Sequence, residues 1–283
     1  MPYTKVPITR ASPGCIVFLL DQSTSMGGHF GGNFEETAQS LKKSEGLAQV
    51  VNRFLQSLII RCTRDEAIYD YFDVGLFGYS TGGGAKPLLS GPLAGKDLAP
   101  ISQVASNPLR IEERLVSSGG SEPVKQKAPM WVEPEAHGGT PMCAALDTLH
   151  GVLSQWIADH PDTFPPMAIH VTDGGSTDGD PIRHAEQVRN LSTNDGEVLL
   201  FNCHISSSPS RPVLFPGSPG ILQDKVAQML FNMSSDLPEP FLAGAQSSFP
   251  DVRAGSRGFA FNAGVIELIQ FIDMGTRASN SLR

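Results

Sequence analysis

The sequence lacks the features that would assign the protein to a membrane or to a nucleic acid. No stretch approaches the roughly 18 consecutive apolar residues that a membrane-spanning helix needs. The formal charge of −8 leaves no general excess of Lys and Arg for binding phosphate backbones or anionic lipid surfaces. Residues 1–14 also lack the order of charged, apolar and small residues that makes a signal peptide. We therefore expect a cytoplasmic protein whose partner is neither a membrane nor a nucleic acid.

Paired cysteine motifs are absent as well. The four cysteines stand in apolar sequence, and no two of them form a Cys-x-x-Cys pair. Isolated cysteines of this kind are typical of reduced thiols in a core, which favours a reducing compartment. They are Cys15, Cys62, Cys143 and Cys203.

The chain has an ordinary globular composition, with 40% hydrophobic and 18% charged residues over 283 positions. This length suffices for one large α/β domain or two small ones. Short apolar runs alternate with helical stripes, which predicts a doubly wound α/β fold, a mostly parallel, Rossmann-like central sheet with helices on both faces. We predict a single domain over residues 1–283, with an irregular insertion at about 91–139 and a loop at about 206–220.

The predicted elements follow from this periodicity. Strands are expected at residues 15–20, 71–79, 86–89, 167–172, 197–205 and 258–261. One helix is expected to run from a capping box at Asn33 and Glu36 to Cys62, and others at 141–156, 182–191, 225–233 and 265–274. Asn262 is expected to cap the last helix, and the prolines of residues 237–240 are expected to break the helix at 225–233.

Two features of the insertion stay open at this stage. Residues 109–116 alternate poorly between polar and apolar, so both a helix and a strand are compatible with them. Met130, Trp131 and Val132 form either an apolar border to a ligand surface or a core anchor for the loop.

A group of oxygen-bearing side chains ends the first predicted strand. Asp21, Ser23 and Ser25 follow the apolar run at alternate positions. A turn there can point all three to one side, and oxygens gathered at one point suit a hard divalent cation. The alternative is a serine-rich turn that caps the next helix.

Two later positions complete the pattern. Gly138 and Gly139 precede Thr140, whose commonest structural role before a helix is that of an N-cap. Asp173 directly follows the buried run of residues 167–172. Ligands of doubly wound sheets bind beyond the carboxyl ends of the strands, where the strand order reverses. Asp21 and Asp173 therefore converge if their two strands are neighbours at that point.

The sequences Asp-x-Ser-x-Ser, Gly-Gly-Thr and strand-end Asp, in this order, resemble the metal-ion-dependent adhesion site of von Willebrand factor A (VWA) domains. The resemblance covers nearly the whole chain and implies a cation site made of Asp21, Ser23, Ser25, Thr140 and Asp173. It also implies a protein-binding module whose cation takes a Glu or Asp from a partner protein. The Gly-Gly-Thr form is more similar to bacterial VWA proteins, including those of the tellurium-resistance type, which implies a role in a regulatory, stress or defence complex.

The chemistry of these side chains can be argued independently. Two carboxylates and three hydroxyls leave a divalent cation incompletely neutralised and short of six ligands, so that it keeps waters and accepts an acidic oxygen from outside. Because the set contains no His, zinc is a poor fit. Mg²⁺ is the first choice, and Mn²⁺ or Ca²⁺ are the alternatives.

Catalysis is the competing interpretation. Residues 78–82 match the Gly-x-Ser-x-Gly elbow of α/β-hydrolases, but the elbow requires a helix directly after Ser80, and Gly-Gly-Ala-Lys-Pro follows instead. A metal-assisted hydrolase or phosphatase needs a general base near the cation, for which His29 is the nearest titratable candidate. We expect a binding module without catalytic residues. A VWA scaffold whose ion is purely structural is a further alternative.

Two other polar residues are expected to be structural. Asp180 precedes Pro181 and is typical of an N-cap, and His204 lies in a predicted strand without Cys or His at metal-ligand spacing.

Overall fold

The computed structural model describes residues 3, 6–30, 41–116, 124–208, 210–222 and 224–276. Within them the strands, numbered in chain order, are β1 Gly14–Asp21, β2 Thr63–Arg64, β3 Ala67–Ile68, β4 Phe72–Tyr79, β5 Lys86–Pro87, β6 Ala99–Pro100, β7 Arg110–Val116, β8 Val124–Met130, β9 Met167–Thr172, β10 Ser192–Thr193, β11 Gly196–Glu197, β12 Leu199–His204, β13 Val213–Leu214 and β14 Phe259–Phe261. The helices are α1 Lys43–Cys62, α2 Ile101–Ser106, α3 Met142–Asp159, α4 Ile182–Asn190, α5 Lys225–Met233, α6 Glu239–Gln246 and α7 Val265–Thr276.

The central sheet has the order β13-β14-β12-β9-β1-β4-β5, and β6 also pairs with β4. The pairs β1–β4, β1–β9, β9–β12 and β12–β14 are parallel, whereas β5, β6 and β13 pair antiparallel with their neighbours. From β1 the chain passes to β4 on one side and later to β9 on the other. The strand order therefore reverses between β1 and β9, which confirms the predicted doubly wound, mostly parallel α/β sheet.

Both faces of the sheet are covered, because β1 is buried along its whole length. One core layer joins Ile16, Phe18 and Leu20 of β1 to apolar side chains of α1, α2, α6 and α7. The other layer joins Val17 and Leu19 to side chains of α3, α4 and α5. The four cysteines are buried and free, as predicted for core thiols. Among the described residues, no helix combines the length and apolarity needed to cross a membrane.

The first helix begins later than the sequence pattern predicted. The expected capping box at Asn33 and Glu36 lies outside the described residues. Helix α1 starts at Lys43, and the backbone N–H of Lys42 donates to Glu45 Oε2 at 3.1 Å, which is the side-chain-to-backbone bond of a capping box. Leu41, expected on the helix, precedes it.

The insertion at 91–139 is more regular than predicted. It contains β6, α2 and the antiparallel hairpin of β7 and β8, so the open segment 109–116 is a strand over most of its length. The hairpin forms a separate two-stranded sheet, and Ile111 on β7 is 58% exposed. Such a ribbon does not cover a core along its length, which explains why its sequence does not alternate cleanly.

The end of the insertion is anchored in the core. Trp131 and Val132 are each 3% exposed. Asn52 Oδ1 accepts the backbone N–H groups of Trp131 and Val132 at 2.7 and 3.0 Å, and its Nδ2 donates to the Val132 carbonyl at 2.9 Å. The Trp131 indole donates to the Val104 carbonyl at 2.7 Å. Of the two interpretations of residues 130–132, the core anchor is confirmed.

Three smaller features can be compared with their predictions. The helix expected at 225–233 is α5, which ends at Met233, before the prolines of residues 237–240, as predicted. A separate helix, α6, then starts at Glu239 with Pro240 in its first turn. The loop 206–220 contains the short strand β13. Asn262 does not cap α7; its backbone has a φ of +51°, and its side-chain amide donates to the Ser208 carbonyl at 3.2 Å.

Candidate metal centre

The two acidic residues of the predicted site lie at adjacent strand ends. Asp21 is the last residue of β1, and Asp173 directly follows β9. The strands are parallel neighbours, with Leu20 opposite Val171. The expectation that both strands meet at the switch point is therefore confirmed, and it brings the two carboxylates to one place at the edge of the sheet.

Asp21 is held rigidly in a buried position, 1% exposed. Its Oδ1 accepts the backbone N–H of Ser23 at 2.8 Å, and its Oδ2 accepts the hydroxyl of Thr172 at 2.6 Å. Burial raises the pKa of Asp21, and the charge of Asp173 adds to this, while the hydrogen bonds from Thr172 and Ser23 act in the opposite direction. A cation beside this carboxylate would remove the main cost of keeping it ionised.

The two serines link Asp21 to Asp173. A short 3₁₀ turn over Thr24–Gly27 brings Ser23 Oγ to 2.9 Å from Ser25 Oγ. The Ser25 hydroxyl donates to Asp173 Oδ1 at 2.7 Å. The structure thus joins four of the five predicted site residues in one hydrogen-bonded group at the β1–β9 edge.

Thr140 is brought to this edge by contacts between two loops. The His137 N–H donates to the Gln22 carbonyl at 2.7 Å, and both the backbone N–H and the hydroxyl of Thr24 donate to the Gly138 carbonyl, at 3.1 and 3.0 Å. Gly138 has a φ of +74°, and a Cβ there would lie 2.2 Å from Thr81 Cγ2. Glycine is therefore required at this position by the packing between loops, and Thr140 follows two residues later.

Thr140 is not the cap of α3. The N-cap position is Pro141. The backbone N–H groups of Cys143 and Ala144, in the first turn of the helix, both donate to the Asp178 carboxylate at 3.0 Å. Burial alone would raise the pKa of Asp178, but the hydrogen bonds from Ala144 and Cys143 outweigh it and lower the pKa. The backbone N–H of Thr140 donates to Thr177 Oγ1 at 3.0 Å, and the residue is 5% exposed. Its N-cap interpretation is wrong.

A buried lysine completes the group, and sequence reasoning missed it. Lys43 Nζ lies 2.7 Å from Asp173 Oδ2, and the two side chains are 8% and 1% exposed. Nothing in the local sequence marks Lys43, since it is one of two adjacent lysines before an amphipathic helix. In the structure, the Lys42–Glu45 bond fixes the start of α1 and so puts Lys43 in its first turn.

The residues expected to be structural are so. The N-cap position of α4 is Pro181 rather than Asp180, but the backbone N–H of Ile182 donates to Asp180 Oδ1 at 3.1 Å, so Asp180 still satisfies the start of the helix. His204 is 4% exposed and stacks on Phe261 with ring centroids 5.4 Å apart. Burial lowers the pKa of His204, as expected for a neutral core histidine.

Ser80 has a histidine partner that the sequence did not reveal. Ser80 Oγ lies 3.1 Å from His137 Nε2, and His137 Nδ1 lies 3.9 Å from Glu135 Oε2. No helix follows Ser80, because Gly82, Gly83 and Gly84 have φ values of +84°, +76° and +97°. The hydrolase elbow is therefore not formed, although a Ser–His contact is present at the end of β4.

The chemistry of the donor set decides which cation it fits. Over the described ranges, no three His, Cys, Asp or Glu side chains gather into a metal cluster. A site at the β1–β9 edge would instead combine two carboxylates with hydroxyl oxygens, a donor set that suits a hard cation such as Mg²⁺ better than a soft one.

No protein-family model and no curated protein matches the sequence. Among solved structures, the chain is similar to proximal thread matrix protein 1 from the mussel byssus, with 12% identity over 96% of this chain and 47% of that one and a TM-score of 0.43. A von Willebrand factor type A structure from Catenulispora acidiphila shares 12% identity over 96% of this chain and 43% of that one, with a TM-score of 0.45. The PilB minor pilin from Streptococcus sanguinis shares 11% identity over 96% and 62%, with a TM-score of 0.46.

The chain spans less than half the length of the first two of these proteins. Because all three TM-scores lie below 0.5, the fold assignment rests on the strand order and register of the chain itself.

Proposed function

We propose that the protein is a VWA-type binding module that holds a divalent cation, Mg²⁺ in first place, through Asp21, Ser23, Ser25, Thr140 and Asp173. The observation that carries the proposal is the continuous hydrogen-bonded group from Asp21 to Asp173 across the β1–β9 switch point. Four residues predicted from two distant stretches of sequence contact one another there, at the place where ligands of doubly wound sheets bind.

The bound cation supplies an unsaturated positive centre. With two carboxylates and neutral hydroxyls as ligands it retains charge and water, and its remaining position suits a carboxylate from outside. We infer that the ligand is a Glu or Asp side chain of a partner protein. The acidic balance of the chain, −8, disfavours such a partner group in the absence of the cation.

The biological setting is part of the proposal and rests on sequence resemblance. The Gly-Gly-Thr form supports a bacterial protein related to the tellurium-resistance type, and the four free, buried cysteines support a reducing, cytoplasmic compartment. Mn²⁺ and Ca²⁺ remain alternatives to Mg²⁺, because all three prefer oxygen ligands.

The direct test is metal-dependent stabilisation of Asp21→Ala against the matched control Asp180→Ala. Both variants remove an aspartate at the same edge of the sheet, but Asp180 only accepts the Ile182 N–H at the start of α4. Titration with MgCl₂ after EDTA treatment should raise the unfolding temperature of the wild type and of D180A, and leave D21A unchanged. An equal rise in D21A would show that the cation binds elsewhere.

A second candidate function has one observation in its favour, the contact between Ser80 and His137. The backbone of His137 contacts Gln22, next to the proposed ligand Asp21, and the pair offers a hydroxyl with a base, as a hydrolase requires. Ser80 is only 8% exposed, which disfavours attack on a substrate. Turnover of p-nitrophenyl acetate or p-nitrophenyl phosphate by the wild type, lost in Ser80→Ala or in EDTA, would establish catalysis; we expect no turnover.

Substitutions in the partner protein distinguish the proposed function from the alternative in which the ion is purely structural. If the cation only clamps the fold, EDTA lowers stability, while no single partner carboxylate matters. In the proposed mechanism, changing one Glu or Asp of the partner to Gln or Asn abolishes binding.

A further inference from the structure

Lys43 occupies the position of an internal cation in the candidate centre. Its ammonium lies 2.7 Å from Asp173 Oδ2, the oxygen opposite the one that accepts the Ser25 hydroxyl. The residue is 6% exposed, so this charge is withdrawn from water. Burying an ammonium is unfavourable unless an opposite charge compensates it, and Asp173 supplies that charge.

The position of Lys43 in α1 is itself unfavourable for a positive charge. It is the first residue of the helix, where the exposed N–H groups and the macrodipole disfavour a positive charge. Its backbone N–H donates to the Gly28 carbonyl at 2.9 Å, and a Cβ at Gly28 would lie 3.8 Å from the lysine Nζ. The loop after the Asp-x-Ser-x-Ser turn thus packs over the lysine and holds it against Asp173.

These contacts place two cations in competition for one carboxylate. A divalent ion held by Asp173 would share that carboxylate with the ammonium, and two positive charges on one carboxylate repel strongly at a site removed from water. Either the ion is bound less tightly, or Lys43 must leave Asp173 when the ion binds.

We propose that Lys43 is an internal competitor of the divalent cation: its ion pair with Asp173 weakens metal binding, and the metal binds by displacing the lysine from that carboxylate. This inference rests on the proposed function and assigns a residue that regulates the same site. It means that the protein folds with a neutralised Asp173 before the metal arrives, and that the first turn of α1 responds to metal binding.

The test is the Mg²⁺ affinity of Lys43→Met measured by isothermal titration calorimetry, with Lys42→Met as the matched control. Lys42 is the exposed neighbour and makes no part of the Asp173 ion pair. K43M should bind Mg²⁺ at least about tenfold more tightly than the wild type, because the competing charge is gone. K42M should bind as the wild type does. K43M should also unfold more easily in EDTA and gain more stability from Mg²⁺.

A second variant separates charge from packing. Lys43→Arg keeps the charge, so its Mg²⁺ affinity should stay within about threefold of the wild type. Equal affinity in K43M and wild type, or the same tightening in K43R as in K43M, would overturn the inference. If K43M fails to fold without metal, Lys43→Gln is measured in its place under the same criteria. Absence of any Mg²⁺ response in the wild type and in every variant would instead remove the proposed cation site itself.

Discussion

Two buried polar groups meet at strand β9 of this sheet and differ in charge. The interior group is a chain of side chains: Tyr79 Oη is 2.7 Å from His170 Nε2, and His170 Nδ1 is 2.8 Å from Asn202 Oδ1. Asn202 Nδ2 donates to Ser234 Oγ at 3.0 Å, and the Ser234 hydroxyl donates to the Leu230 carbonyl at 2.8 Å. The edge group, at the strand ends, contains Asp21, Asp173 and Lys43.

The interior group is composed of uncharged side chains that satisfy one another. Burial lowers the pKa of His170 to about 4, so the imidazole is neutral and bridges Tyr79 and Asn202. The edge group carries two carboxylates and one ammonium, and the pairing within it leaves one more negative charge than positive. Neutral, complete networks stabilise a unique core, whereas a buried excess charge calls for a ligand. The comparison therefore separates a structural polar group from the proposed metal site, whose Asp173 follows His170 by three residues, just after β9.

The largest effect is expected at the edge group, for Asp173→Asn. This change removes a proposed metal ligand and leaves Lys43 buried without its counter-ion, so Mg²⁺ binding should be lost and the unfolding free energy should fall by about 4 kcal/mol. Urea unfolding with and without Mg²⁺ measures both quantities. A variant that keeps the wild-type response to Mg²⁺ would contradict the assignment of Asp173.

A slightly smaller effect, on stability alone, is expected in the interior group for Asn202→Leu. The substitution removes the hydrogen bonds that Asn202 makes with His170 and Ser234. Because both groups are buried, we expect a loss of about 3 kcal/mol of unfolding free energy. The affinity for Mg²⁺ should not change. If Asn202→Leu also alters the metal response, the two groups are coupled and the distinction between them fails.

The pH dependence of stability tests the neutral state of His170. A histidine whose folded pKa lies near 4 contributes fully above its unfolded pKa of about 6.5, and its contribution is lost as the pH falls towards 4, since the unfolded chain then binds more protons. His204, with a lowered pKa, acts in the same direction. We expect a loss of about 2 kcal/mol between pH 6.5 and pH 5. The loss should be smaller in His170→Gln, and a flat profile in the wild type would show that His170 is not buried as described.

The smallest effect is expected for a charge pair outside both groups. Lys125 Nζ lies 2.9 Å from Glu113 Oε2 on the hairpin, with the side chains 73% and 57% exposed. Because water screens such a pair, Glu113→Gln should change the unfolding free energy by less than about 0.5 kcal/mol and leave Mg²⁺ binding unchanged. A larger change in unfolding free energy would mean that removing an exposed charge also destabilises the protein. The effect of Asp173→Asn would then not be specific to the edge group.

The sequence predicted the structure correctly where burial of apolar side chains decides it. The apolar runs before Asp21 and Asp173 predicted two buried strands, because a parallel strand covered on both faces must be apolar throughout. The alternation of elements predicted the fold class, and the motif order placed both carboxylates at one edge. Periodicity does not order strands in space, so the adjacency of β1 and β9 required the structure.

The failures have a common physical cause in long-range packing. Residues 109–116 form a strand because they pair with β8, and the local pattern of polar and apolar residues does not predict this pairing. Thr140 is released from capping α3 because Asp178, from a different loop, takes that role. Lys43 and His137 reach the edge of the sheet through tertiary contacts with Asp173 and Ser80. None of these pairings has a spacing that a single sequence displays.

The pairing of β1 on both sides has a consequence for amide hydrogen exchange. Strand β1 is paired with β4 from Gly14 to Asp21 and with β9 from Ile16 to Leu20. Its central amides, such as those of Phe18 and Leu19, should exchange only when the whole domain opens. The amides of Thr24 and His137 join two surface loops and should exchange by local separation of those loops. The edge group therefore lies between the rigid strand β1 and two loops that can separate from each other. A ligand that binds to both should slow exchange at Thr24 and His137 and leave the exchange of the β1 amides unchanged.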